Sequence, residues 1–189
     1  SEYLRGEVFA MAGASRKHNL VGTNVAAELR QRLRESDCEV YQSDMRVKVS
    51  STGLYTYPDV TVACGEPQFE DAEVDTLLNP KVVVEVLSRS TADYDRGGKF
   101  THYRRLPSLQ EYVLVSQDRP LVEHYVRQGP DEWLLTEIRS LQETLVLPSL
   151  ECRLPLSEIY LKVRLAPEAG GTDVATDDAI DDQGLTKPE

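Results

Sequence analysis

The stretch Lys81-Val82-Val83-Val84-Glu85-Val86-Leu87-Ser88 constrains the fold more than any other part of the chain. Consecutive β-branched residues suit a strand buried on both faces, so residues 81–88 are predicted to be central in a sheet covered on each side. Side chains alternate along a strand, which puts Val82, Val84 and Val86 on one face and Val83, Glu85 and Leu87 on the other. One carboxylate therefore stands in the middle of an apolar strand. Burying it unpaired is too costly, so Glu85 must be ion-paired, protonated or bound to a metal. From this residue alone, a structural pair with Lys81 or Arg104 and a functional role carry about equal weight.

The segments around this strand define its partners. Residues 3–11 read as a small hairpin turning at Gly6. Ser15 is an N-cap for a helix over residues 15–35, whose His18, Val21, Val25, Leu29 and Leu33 recur on one face. Met45, Val47 and Val49 alternate with Asp44, Arg46 and Lys48; a turn at 50–53 and a strand at 57–63 follow, which together predict a hairpin. A polar loop spans 64–80. Ser90 followed by Asp93 resembles a capping box, opening a helix that runs to about Leu106 before Pro107 stops it. Strands are expected at 111–116, 121–127 and 132–139. The order predicts an α/β or α+β layer arrangement.

The 189 residues suit one domain over 1–165, followed by a tail. From 166 to 189 there is no aromatic residue, and seven acids face one base, Lys187, so the tail is expected to be disordered. A formal charge of −11 excludes a general nucleic-acid coating protein. The sign reverses locally, because residues 89–105 carry Arg89, Arg96, Lys99, Arg104 and Arg105 against Asp93 and Asp95, a basic patch suited to a polyanion. No apolar run approaches the ~20 residues of a membrane span. Three cysteines, Cys38, Cys64 and Cys152, lack paired metal-ligand spacing and predict neither a disulfide framework nor a zinc ribbon, which makes the cytoplasm the default. The sequence opens on Ser1 with no Met, basic leader or apolar leader, the pattern of a truncated start.

Asp59 follows Pro58 at the head of Tyr57-Pro58-Asp59-Val60-Thr61-Val62, where it shares a face with Thr61. Pro58 suits a strand beginning or a bulge. Two carboxylates, Asp59 and Glu85, converging from neighbouring strands would make an oxygen-donor site for Mg²⁺ or Mn²⁺. Lys99 stands four residues after Asp95 and four before Tyr103. It is either an exposed ion pair with Asp95 or a cation reaching back over the end of the Glu85 strand. His18, near the start of the first helix, is either a hydrogen-bonded core histidine or a third ligand.

The combined order of these residues resembles the bacterial Uma-two family of putative restriction endonucleases. It comprises Glu2-Tyr3, Gly6-Glu7, Met11 with His18, Tyr57-Pro58-Asp59-Val60, Val84-Glu85-Val86-Leu87-Ser88, Tyr94-Asp95-Arg96-Gly97 with Lys99, Tyr103-Arg104 and Glu111-Tyr112. The resemblance covers residues 1 to about 163. That family is placed in the PD-(D/E)XK nuclease superfamily, which implies a restriction-endonuclease-like α/β fold, a central mixed sheet flanked by the two helices, with Asp59 as the motif Asp and Glu85 as the motif Glu. The lysine expected two residues after the acid is Leu87 here, and the family pattern assigns its place to Lys99. The family also carries a helical segment ahead of the hairpin, where this sequence begins.

The resemblance implies a metal-dependent endonuclease acting on DNA; a homodimer is a further expectation for its assembly, and the cytoplasm for its location. Asp59, Glu85 and the carbonyl of Val86 would hold Mg²⁺ or Mn²⁺, and Lys99 would orient the attacking water. His18 and Glu7 would support the site, and Arg96 and Arg104 would contact the substrate. Two rivals stand beside this reading: a nuclease-like module that has lost catalysis, favoured by Leu87, and an interaction protein whose acidic tail engages a basic partner.

Overall fold

The computed structural model describes residues 2–4, 7–9, 14–73, 75–88 and 92–165. The acidic tail lies outside the described residues. Glu2–Leu4 (β1) and Glu7–Phe9 (β2) pair antiparallel, with Tyr3 opposite Val8, as the hairpin reading expected. Arg16–Arg32 (α1) begins at the predicted N-cap, where the Ser15 side chain accepts the His18 N–H at 3.1 Å. It buries Val21, Val25, Ala26 and Leu29, the predicted face.

Next come Cys38–Gln42 (β3), Arg46–Val49 (β4), Leu54–Thr56 (β5), Val60–Cys64 (β6), Thr76–Leu77 (β7) and Val82–Leu87 (β8). The second helix, α2, is built from Ala92–Tyr94, a π turn over Asp95–Lys99, and Phe100–Tyr103. Glu111–Ser116 (β9), Val122–Arg127 (β10), Trp133–Ile138 (β11), Thr144–Leu147 (β12), Cys152–Pro155 (β13) and the short helix Leu156–Ile159 (α3) complete the order.

The main sheet has the order β11-β10-β9-β8-β6-β3, with β8 parallel to β9 and antiparallel to β6. All six β8 residues are buried, as expected for a central strand. Val60, Val62, Val82, Val84 and Val86 pack with α1, the β12–β13 hairpin and α3 on one face. Val83, Leu87, Leu114, Tyr103 and Leu106 pack on the other, together with Val47, Val49 and Leu54 of a second sheet, β2-β1-β5-β4-β7. The fold is thus a central mixed sheet between helices, as the resemblance implied.

Two expectations are overturned. The expected hairpin between 45–49 and 57–63 does not form: β4 pairs with β5 in the small sheet, while β6 crosses into the main sheet between β3 and β8. The cause is local, since Pro58 cannot donate to a ladder and ends the small-sheet strand, and Val60-Thr61-Val62-Ala63 is buried on both faces. The cysteine reading also fails, because Cys38 and Cys64 are joined in a disulfide. They sit directly opposite each other in the β3–β6 register, a pairing that depends on β3, which the sequence reading missed. Cys152 is buried and unbonded to another cysteine. Among the described residues, no helix is long and apolar enough to cross a membrane.

Candidate active site

The antiparallel β6–β8 register sets Val60 opposite Val84, so Asp59, one residue before β6, stands across from Glu85. The same parity gives both acids the face shared by Thr61 and Val83. Asp59 Oδ2 accepts the Val86 N–H at 2.7 Å and lies 3.3 Å from His18 Nε2. The Ser15 cap presents His18 to that carboxylate, and the Ser15 hydroxyl also donates to Gln117, fastening the start of α1 to the loop after β9. Burial pulls the His18 pKa down, but the hydrogen bond and charge of Asp59, the charge of Asp95 and a hydrogen bond with the Val86 backbone raise it above the usual histidine value.

Glu85 is 3% exposed. Its Oε1 accepts hydrogen bonds from Lys99 Nζ at 3.1 Å and from the Tyr103 hydroxyl at 2.8 Å. Lys99 is equally buried, which overturns the exposed pair weighed for it: it lies 3.3 Å from Asp95 Oδ1 inside the fold and reaches Glu85 as well. Burial drives the Glu85 pKa up to about 8; Lys99 opposes the shift, Asp59 and Asp95 add to it, and the Tyr103 hydrogen bond opposes it. A carboxyl held this way keeps its proton near neutrality until a stronger cation displaces it.

The π turn delivers Asp95 and Lys99 to this point. Such turns are uncommon in helices and recur at functional sites. An aromatic cluster holds it, with Phe100 stacked on Tyr112 at 5.3 Å and the Tyr112 hydroxyl donating to the Asp95 carbonyl at 3.0 Å. Gly98 permits the turn to close, because a Cβ there would lie 2.5 Å from Tyr94 Cδ2, whereas one on Gly97 would meet nothing within 4 Å. Gly98→Ala is therefore expected to displace the Tyr94 ring and lower stability by roughly 1–3 kcal/mol. Gly97→Ala should be neutral or stabilising by up to ~1 kcal/mol. Paired urea melts read the contrast; equal effects at both positions would dismiss the close-packing argument.

The other predicted residues are dispersed. Arg96 does not point at the acids: its guanidinium pairs with Glu123, with Nε 2.9 Å from Oε1. Arg104 is exposed near the C-terminal end of α2. The basic patch read from 89–105 is thus broken up, because Lys99 is consumed inside and Arg96 is matched by an acid of β10, neither visible in a local charge count. Glu7 lies in β2, and its side chain falls outside the described residues, as does the Ser90 cap.

Sequence reasoning missed Asp95 and Tyr103 as members of the site. The signal was present in the spacing of Asp95, Lys99 and Tyr103, but a four-residue interval reads equally well as an exposed face. Among the described residues, the one group of three or more His, Cys, Asp or Glu ligand atoms within 4.8 Å of one another is Asp37, Cys38 and Cys64. Its two sulfurs are tied up in the disulfide, so it offers no thiolates. Among the described residues, Asp59 and Glu85 gather no third side-chain ligand at that spacing.

Comparison with known proteins adds three findings. A family model described as "Putative restriction endonuclease" matches residues 1–157. The chain is 41% identical over 138 residues to the uncharacterized protein sll1609 of Synechocystis sp., covering 73% of this chain and 78% of that one. It is 35% identical over 159 residues to slr1290 of the same organism, covering 84% and 82%. In fold it is similar to a crystal structure described as a putative nuclease belonging to DUF820 from Anabaena variabilis. The TM-score is 0.68 at 15% identity, covering 84% of this chain and 88% of that chain.

Proposed function

Because the chain belongs to the Uma2 family, whose description is "Putative restriction endonuclease", we propose that it hydrolyses phosphodiester bonds in DNA with a divalent cation, using Asp59, Glu85 and Lys99 as catalytic residues. The observation that carries this reading is the placement of two acids across one strand pair with a buried lysine on the second of them. Lys99 stands in for the lysine that Leu87 cannot supply, which weighs against a module that has lost catalysis.

The residues fit a hard cation. Asp59, Glu85 and the Val86 carbonyl are oxygen donors, and Mg²⁺ commonly needs only one or two carboxylates because it keeps several waters. Asp59, Glu85 and Val86 would hold it. When bound, such a cation supplies charge neutralisation at the phosphate and a more acidic water. The remaining steps belong to the protein. Lys99 hydrogen-bonds the attacking water and offsets charge on the phosphate as the water's oxygen bonds to phosphorus, the water's proton passes to solvent, and the P–O ester bond breaks with its electron pair on the leaving oxygen, which takes a proton from solvent. Tyr103 and Asp95 hold Glu85 and Lys99 in place, and His18 and the Val86 N–H orient Asp59.

Plasmid and single-stranded DNA incubated with Mg²⁺, Mn²⁺ or EDTA test the proposal. Cleavage is expected with either cation and none in EDTA. Activity that survives EDTA would reject the metal, and no cleavage under any condition would reject the nuclease.

A further inference from the structure

The outward face of the small sheet is not used by the reading above. Along 54–60 burial alternates: Leu54, Thr56, Pro58 and Val60 are buried, while Tyr55, Tyr57 and Asp59 are half-buried. On the neighbouring strand Val47 and Val49 face inward while Arg46 and Lys48 remain partly exposed. Tyr3 of β1 and Lys48 of β4 flank Tyr55 in register. Tyr3, Arg46, Tyr55, Tyr57 and Glu70 line an open groove of about 420 Å³, within the ~300–1,000 Å³ of small-ligand sites.

The chemistry of this groove is specific. The Tyr3 and Tyr55 rings meet edge to face at 6.1 Å. The Arg46 guanidinium lies 5.7 Å from the Tyr55 centroid, and the Lys48 ammonium 5.1 Å. Each cation is already matched, Arg46 by Asp75 at 2.8 Å and Lys48 by Glu70, and the Tyr55 hydroxyl donates to Glu70 at 2.9 Å. A groove neutral overall is a poor phosphate trap. It offers instead aromatic surface, guanidinium donors and a carboxylate acceptor, which match the flat faces and hydrogen-bonding edge of a nucleobase. Tyr57 also stands only two residues before Asp59.

We propose that this groove binds an unstacked nucleobase of the substrate strand, so that the enzyme acts on DNA carrying unpaired nucleotides. The proposal rests on the nuclease reading. Inside a duplex both faces of a base are stacked and its edge is paired, so only a single-stranded or extruded base can enter.

Fluorescence anisotropy in EDTA, which separates binding from cleavage, tests it with a labelled 12-nucleotide single strand and the same sequence as a duplex. The single strand is expected to bind at least tenfold more tightly. Tyr55→Ala and Tyr57→Ala should each weaken it roughly 5- to 100-fold, the range for losing one stacked base. Tyr55→Phe should stay within about twofold, and Tyr55→Leu, which keeps apolar bulk without a π face, should behave like the alanine variant. Thermal melts establish that each variant is folded. Deoxyadenosine monophosphate should compete where deoxyribose 5-phosphate does not. Equal binding of duplex and single strand with unchanged tyrosine variants, or competition by both small molecules alike, overturns the groove. If Mg²⁺- or Mn²⁺-dependent cleavage persists in that case, the nuclease reading survives. Tyrosine-dependent binding by a protein that cleaves nothing would instead keep the groove and remove the nuclease.

Discussion

Glu85→Gln is expected to lower DNA cleavage by roughly 10²–10³-fold, the scale of losing one group that stabilises charge in a transition state, while the protein stays folded. The amide is nearly the same size as the carboxyl, and its oxygen can accept from Lys99 Nζ and the Tyr103 hydroxyl as Glu85 Oε1 does. Because burial holds Glu85 protonated up to about pH 8, a neutral amide resembles the state that the folded chain already prefers without a metal. Stability should therefore change by about 1 kcal/mol or less. Cleavage of a nicked and a supercoiled plasmid in Mg²⁺, beside a urea melt, checks both parts. A fully active Glu85→Gln would exclude this carboxylate from the chemistry, and an unfolded one would show its role to be structural.

Lys99→Met should have the largest effect on stability, because it removes a buried ammonium that lies 3.1 Å from Glu85 Oε1 and 3.3 Å from Asp95 Oδ1. Removing one partner of a buried ion pair costs on the order of 3–5 kcal/mol. The loss should depend on pH with a defined sign. The folded pKa of Glu85, about 8, lies above its ordinary value of 4.5. The stability linked to its proton is therefore fully present below about pH 4.5 and lost as pH rises through 8, with a slope of at most about 1.4 kcal/mol per pH unit. Without Lys99 the proton is held more tightly still and the window extends upward. Urea unfolding in EDTA at pH 5.5 and 8.5 should thus show both proteins weaker at the higher pH, and the variant more so. A flat profile would mean that Glu85 is ionised throughout.

Much of the site was legible because it resides in strand alternation. A carboxylate at the centre of a Val-rich strand cannot be hidden by any local arrangement, and Asp59 beside Pro58 marks a strand entrance; both judgements concern one or two residues and the period of a strand. The first helix was equally legible, from its cap and its apolar face. What could not be read depends on contacts distant in sequence. Cys38 meets Cys64 only through β3, a short strand of mixed polarity. Arg96 is matched by Glu123, 27 residues away on β10.

The sequence by itself determined where a buried acid must be answered, since the cost of an unpaired charge in an apolar strand does not depend on topology. Which groups answer it was a tertiary decision. Lys99 and Tyr103 reach Glu85, and Asp95 reaches Lys99, because a π turn, closed over Gly98 and clamped by Phe100 on Tyr112, sets them inward. Asp59 faces Glu85 because the chain leaves the small sheet after β5 and enters the main one as β6. Both outcomes follow from packing between segments, where the energy of burying apolar faces outweighs local preferences that a linear pattern expresses.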